Sequence, residues 1–143
     1  MGSFTTVGME EVERSFLKRE QAATKAVPLM LEAGAKVIAE AQQREAAAMG
    51  INETAGFIQA IKPTPIKGSD TEKYIEVYPQ GKAKHGNESK KDKSNVRYAT
   101  IGFINQYGTS SQAARPYMTA ANEKARTQVM EEMYKVWEGV NNG

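Results

Sequence analysis

The sequence lacks cysteine altogether, and it contains a single histidine, His85. Without thiols the chain cannot form disulfides, thiolate zinc sites, iron–sulfur clusters or a cysteine nucleophile. One histidine excludes multi-histidine metal sites, and a serine–histidine–aspartate triad would have to use His85 itself. Because His85 lies in a polar segment with no carboxylate partner at suitable spacing, we expect neither enzyme activity nor a cofactor.

Long apolar runs are also missing. No stretch approaches the ~20 apolar residues of a membrane span. Residues 1–6 lack the basic start and apolar core of a secretory signal. The glycine-rich, zinc-binding and nucleophile motifs of common enzymes are absent as well. With 143 residues, 40% of them hydrophobic and 25% charged, the composition is typical of one globular domain, which we assign to residues 1–143.

Net charge is only +2, but the positive excess is concentrated in the middle of the chain. Residues 81–95 contain one apolar residue, Ala83, and are rich in lysine, glycine, asparagine and serine. Such a segment buries too little apolar surface to offset its ordering entropy, which predicts a mobile loop or hairpin tip. Two interpretations stay open, a solvated loop and a finger that meets DNA phosphates. The candidate DNA-contacting residues are Lys82, Lys84, Lys90, Lys91 and Lys93.

Apolar and small residues recur at helical spacing over residues 9–48, which predicts a long N-terminal helix. Pro28 interrupts this pattern, so we expect a kink or two helices at about 9–25 and 27–48. Gly50 is the expected C-terminal stop.

The middle of the chain predicts a small sheet. Residues 52–63 are ambiguous between a short helix and a strand, whereas residues 73–79 alternate as a strand that ends at Pro79. Residues 96–107 have apolar side chains at every third position and are followed by Gly108, which favours a short helix.

Pro116 predicts the start of a final helix. On that helix Met130, Met133 and Trp137 form an apolar stripe, for which core packing and a subunit interface are the two interpretations. The expected fold is α+β, with long N-terminal and C-terminal helices packed on a small antiparallel β-sheet with a long polar hairpin or loop.

One stretch resembles a known family. Gln106-Tyr107-Gly108-Thr109-Ser110, followed by Ala114-Arg115-Pro116-Tyr117-Met118, is similar to the signature of the phage minor tail component family named after gene product ten of phage HK-ninety-seven. Residues 54–61 and 26–41 resemble other parts of that family, although Phe57 stands where the family has an arginine. The motif residues are expected to serve assembly, and Arg115 to bond loop carbonyls or a carboxylate on a neighbouring subunit.

The resemblance implies a structural virion protein that forms a ring in the neck of a tailed phage and completes the tail or joins it to the head. Implied partners are copies of itself, a portal, adaptor or head-closure protein on one side, and a tail terminator or tail tube protein on the other. Contact with packaged DNA would be non-specific, and no membrane is involved. The implied location is the virion neck or tail, after synthesis in the bacterial cytoplasm. Two alternatives remain, a tail terminator that caps the tube and a small nucleic-acid-binding module that uses the basic loop.

Overall fold

The computed structural model of the protein describes residues 2–51, 56–82 and 97–142, with the backbone alone at residues 2–10, 12 and 16. Four helices and four short strands occur in these ranges. In chain order they are α1 (Gly2–Ala48), α2 (Phe57–Ala60), β1 (Ile61–Pro63), β2 (Lys67–Gly68), β3 (Lys73–Tyr74), β4 (Val77–Pro79), α3 (Tyr98–Tyr107) and α4 (Tyr117–Asn141). Strand β1 pairs antiparallel with β4, and β2 pairs antiparallel with β3. The predicted α+β class with long terminal helices is confirmed.

Helix α1 is continuous through Pro28, so of the two predicted alternatives that of two separate helices is wrong, while a kink at Pro28 stays a prediction. Proline removes one backbone hydrogen bond and crowds the preceding turn, at a cost of about 3 kcal/mol. Tertiary contacts on both sides of it offset that cost: Ala26 is fully buried, and Ala35 is 6% exposed. Buried flanking turns keep the two halves in one helix.

Helices α1 and α4 pack antiparallel along a seam of small residues. Glu45 on α1 lies beside Lys124 at 2.7 Å, and a Cβ atom added at Gly34 would lie 3.1 Å from Met133 Sδ. Between these points Ala121 and Ala125 are almost completely buried. Small side chains at a crossing let two helices approach closely, so this seam fixes the position of α4.

The N-terminal part of α1 extends beyond this seam. At about 1.5 Å per residue, α1 is about 70 Å long and α4 about 38 Å. Every side chain described between residues 11 and 21 is exposed, including Leu17 at 55%. The described side chains of this part of α1 are therefore not covered by α4 or by the rest of the described chain.

The end of α1 is a glycine-terminated cap, as predicted. Gly50 has φ 74°, its N–H bonds to Ala47 O at 3.1 Å, and Ile51 N–H bonds to Ala46 O at 2.9 Å. This is the Schellman pattern, which satisfies the last carbonyls of the helix. Ile51 and Ala46 belong to the same buried cluster, so the cap also directs the chain into the core.

The predicted strand 73–79 is divided into β3 and β4. The two strands belong to different ladders, since β3 pairs with β2 and β4 with β1. Between them Glu76 bonds to Thr64: Thr64 N–H donates to Glu76 O at 2.8 Å, and Glu76 N–H donates to Thr64 Oγ1 at 3.1 Å. The ambiguous segment 52–63 contains both predicted alternatives where it is described, one helical turn followed by β1.

The main core lies where α1, α2, β1, α3 and the start of α4 converge. Its buried members are Ala46, Ile51, Phe57, Ile61 and Tyr117. Within the described ranges, no helix is long and apolar enough to cross a membrane.

Replacing Ala121 by leucine tests the α1–α4 seam. Ala121 is 0% exposed, so the added atoms must displace α1, and we expect Ala121→Leu to lower the free energy of unfolding by about 1–3 kcal/mol. Ala47→Leu, on the exposed side of α1, is the matched control and should change it by less than ~0.5 kcal/mol. Urea unfolding gives both values, and equal effects of the two changes would contradict the packing described.

Candidate functional site

The residues of the sequence motif form a joint between α3 and α4. Helix α3 spans Tyr98–Tyr107, which confirms the predicted short helix, and ends at Gly108 with φ 75°. A Cβ atom at position 108 would lie 2.8 Å from Ala114 N and 2.9 Å from Gln112 O. Glycine is required there both by the backbone conformation and by the close return of the loop.

Thr109 shapes the loop that follows. Its Oγ1 accepts hydrogen bonds from the backbone N–H groups of Gln112 at 3.1 Å and Ser111 at 3.3 Å, and its own N–H donates to Gln112 O at 2.8 Å. A threonine hydroxyl commonly organises a turn in this way. The neighbouring Ser110 is exposed.

Gln106 caps helix α4 from outside that helix. Its Oε1 accepts from Met118 N–H at 2.9 Å, and its Nε2 donates to Thr119 Oγ1 at 2.6 Å. The residue at the N-cap position, Pro116, has no side chain that can accept, so Gln106 supplies the acceptor that a serine or aspartate usually provides. This role was not predicted from the sequence. The one indication of it was that Pro116, at the start of α4, has no side chain that can accept a hydrogen bond from the helix.

Arg115 ties the joint to the end of α1. Its Nη1 donates to the carbonyl oxygens of Gly50 at 3.4 Å and Met49 at 3.5 Å. Carbonyls at a helix C-terminus carry partial negative charge and favour a cation. Of the two predicted roles of Arg115, bonding to carbonyls is confirmed, while a contact with a neighbouring subunit stays a prediction.

Tyr117 anchors the joint in the core. It is 0% exposed, and its ring meets Phe57 edge-on with 6.0 Å between centroids. A Cβ atom at Gly102 would lie 2.7 Å from its hydroxyl oxygen. That hydroxyl has no hydrogen-bond partner within the described residues, and burial raises its pKa well above the ordinary value of 10.0. Phe57, where the resemblance would place an arginine, belongs to this apolar core.

Tyr107 is the one aromatic residue of the motif that faces outward. It is 67% exposed and its ring contacts that of Phe103, which is 62% exposed, with centroids 4.8 Å apart and the ring planes tilted by 52°. The motif thus combines an internal joint with an exposed aromatic pair.

The predicted apolar stripe on α4 is divided between the two interpretations. Met133 packs against Gly34 in the α1–α4 seam, and Trp137 is half-buried. Met130 is 66% exposed, and Tyr134, one turn further along, is 60% exposed.

Of the five candidate DNA-contacting lysines, only Lys82 lies within the described residues. It is exposed and forms an isolated antiparallel bridge with Arg97, which places two cations side by side. Lys84, Lys90, Lys91 and Lys93 lie outside the described residues, as do His85 and most of the predicted mobile loop, so their roles stay predictions.

Neither the described side chains nor the comparisons point to a reaction. Across residues 2–51, 56–82 and 97–142 no three histidine, aspartate or glutamate side chains come together as metal ligands. No protein-family model, curated protein or solved structure matches the chain.

Replacing Gly108 by alanine tests the joint. An alanine at this position would keep the positive φ that L-residues disfavour, and its Cβ would clash with the backbone of the loop. We therefore expect Gly108→Ala to lower the free energy of unfolding by at least ~2 kcal/mol. Gly139→Ala is the control, because no atom lies within 4 Å of a Cβ there and the backbone is helical. That change should stabilise by about 0.5–1 kcal/mol, as measured by denaturant unfolding. Loss of stability at both positions would contradict this account.

Removing the Tyr117 hydroxyl should not destabilise the protein at pH 7. An unpaired buried hydroxyl costs free energy, so Tyr117→Phe should be at least as stable as the wild type. Because the folded-state pKa is raised, the unfolded state releases this proton first as pH rises. Above pH ~10 the free energy of unfolding of the wild type should therefore fall, relative to that of the variant, by up to ~1.4 kcal/mol per pH unit. Below pH ~10 the difference between the two proteins should not change with pH. Parallel stability curves from pH 7 to 11.5 would show that the hydroxyl ionises freely in the folded protein.

Proposed function

We propose that this protein is a structural component of a tailed-phage virion, a ring subunit of the neck that completes the tail or joins it to the head. The observation that carries this proposal is the exposure of large apolar side chains on two separate helices, Phe103 and Tyr107 on α3 and Met130 and Tyr134 on α4. Exposed apolar surface of this kind is typical of protein–protein contact sites.

The described motif residues support an architectural role. Gln106 caps a helix, Gly108 permits a close turn, and Arg115 bonds the end of another helix. These residues fix the local structure, and they hold α3 rigidly on the start of α4. A rigid joint that presents an exposed aromatic pair is suited to a fixed position in an assembly. The resemblance of this motif to the phage tail family is the reason for proposing that the assembly is the neck of a phage.

The mechanism would be geometric. Two unlike faces on one subunit allow a head-to-tail contact, which closes into a ring when its rotation divides a full turn. The long helices would form the wall, and the start of α1 would reach an adjoining ring or subunit. A portal, adaptor or head-closure protein on one side and a tail terminator or tail tube on the other are the proposed partners, with the virion as the location.

A nucleic-acid-binding module remains the second candidate, favoured by the adjacent cations Lys82 and Arg97 at the ends of the lysine-rich segment. Within a ring the same cations would face packaged DNA in the lumen without reading its sequence. As an independent module, the isolated protein should bind duplex DNA with an affinity that falls steeply with salt.

Electron microscopy of lysates from a phage that lacks this gene tests the proposed role. We expect filled heads beside separate finished tails, which become joined when purified protein is added. Tails of uncontrolled length would instead indicate a tail terminator. Normal infectious particles would overturn the structural role, and salt-sensitive duplex binding would then favour the nucleic-acid module.

A further inference from the structure

We propose that subunits of this protein bind each other head to tail, with the exposed aromatic face of α3 on one copy seated against the exposed face of α4 on the next. This inference deepens the proposed ring and rests on it for the biological setting. In this contact, each of the two faces binds another copy of this chain.

The first face lies on α3. Phe103 and Tyr107 are one turn apart and both are more than 60% exposed. Thr100 shares their side of the helix because it precedes them by three and seven residues. The charge beside α3 is positive: the chain contains no carboxylate from residue 97 to residue 122, Arg97 directly precedes the helix, and Lys82 is bridged to Arg97.

The second face lies on the C-terminal half of α4. Met130 and Tyr134 are one turn apart and at least 60% exposed. Glu131 and Glu138 lie three residues before and four residues after Tyr134, so they border the same face. Both glutamates are exposed, and neither forms an ion pair with any described residue.

Both lysines of α4 form ion pairs with other carboxylates. Lys124 pairs with Glu45 of α1 at 2.7 Å, and Lys135 pairs with Glu132 at 3.1 Å. Arg126 precedes Met130 by four residues and Lys135 follows Glu131 by four, so residues 126–138 hold two cations and three carboxylates, a net charge of −1. The second face is therefore apolar with an acidic border, and it complements the first, which is apolar with a basic border.

The two faces cannot meet within one chain. Gln106 holds the end of α3 at the first turn of α4 through Thr119. Tyr134 lies 15 residues beyond Thr119, about 22 Å along the helix. Each subunit thus has both halves of a contact that only another subunit can complete, which is the requirement for a closed ring. Methionine against aromatic rings is a favourable pairing for such a contact.

The absence of cysteine allows a direct crosslinking test. One variant carries Thr100→Cys beside the α3 face, and a second carries Thr127→Cys beside the α4 face; both positions are exposed, and neither removes an apolar residue of the contact. The two full-length variants are mixed and treated with a short bismaleimide. In a one-to-one mixture about half of the Thr100→Cys chains meet a Thr127→Cys chain in a head-to-tail contact, so we expect up to about half of the chains to become covalent dimers. Each variant alone should give no covalent dimer.

Two controls make this result specific. In the first control the cysteine is placed at Gln128 instead of Thr127, an exposed position on the opposite side of α4 from Met130 and Tyr134. The Gln128→Cys variant should give no dimer with Thr100→Cys. Adding Tyr134→Ser to the Thr127→Cys chain should abolish the dimer. Arg97→Glu should reduce it by about two- to fivefold, and Glu131→Lys in the partner variant should restore it. Circular dichroism confirms that each variant is folded.

Two outcomes would overturn the head-to-tail contact: equal crosslinking of Thr100→Cys with itself, which indicates a symmetric dimer, or no crosslink in the mixture at any concentration. Failure of the neck role gives a different pattern. If the mixed variants crosslink but phage lacking the gene are normal, the contact stands and the proposed function falls.

Discussion

The close antiparallel packing of α1 and α4 is the constraint on which the rest of the structure depends. Glycine and alanine line the seam, and Ala121 is fully buried between the helices. This contact sets the direction of α4, and therefore the side on which Met130 and Tyr134 face outward. It also leaves the described side chains of residues 11–21 on α1 exposed.

The second constraint is the joint at the start of α4. Three separate parts of the chain meet there: the end of α1 through Arg115, the end of α3 through Gln106, and the core through Tyr117. Because these bonds link backbone groups to side chains from other elements, α3 is held in one orientation on α4. The exposed pair on α3 and the exposed pair on α4 consequently keep a fixed spacing, which a repeated contact in a ring requires.

Local signals in the sequence were enough to predict several elements. Gly50 and Gly108 marked helix ends because only glycine adopts the backbone conformation that each end requires. The three-residue apolar period before Gly108 correctly predicted α3. The division of the strand at residues 75–76 was not predictable, because it reflects pairing of β3 with β2 and of β4 with β1, and these pairs form only in the folded chain.

The alternative of two separate helices at Pro28 is wrong for a related reason, since burial on both sides of the proline outweighs its local cost. The capping role of Gln106 could not be predicted either. Its partners lie on the next helix, and no local pattern indicates that a glutamine will replace an N-cap residue at a distance. The apolar stripe on α4 was recognised, but its division into Met133, which packs on Gly34, and exposed Met130 depends on how α1 packs on α4.

Electron cryomicroscopy of the neck of assembled virions is the most direct test of the central claim, that this chain is a ring subunit built on unlike faces. The account predicts a closed ring in which α3 of each copy contacts α4 of the next, with Tyr107 and Tyr134 on opposite sides of each contact. A neck without this chain, or a ring whose subunits touch through like faces, would contradict it.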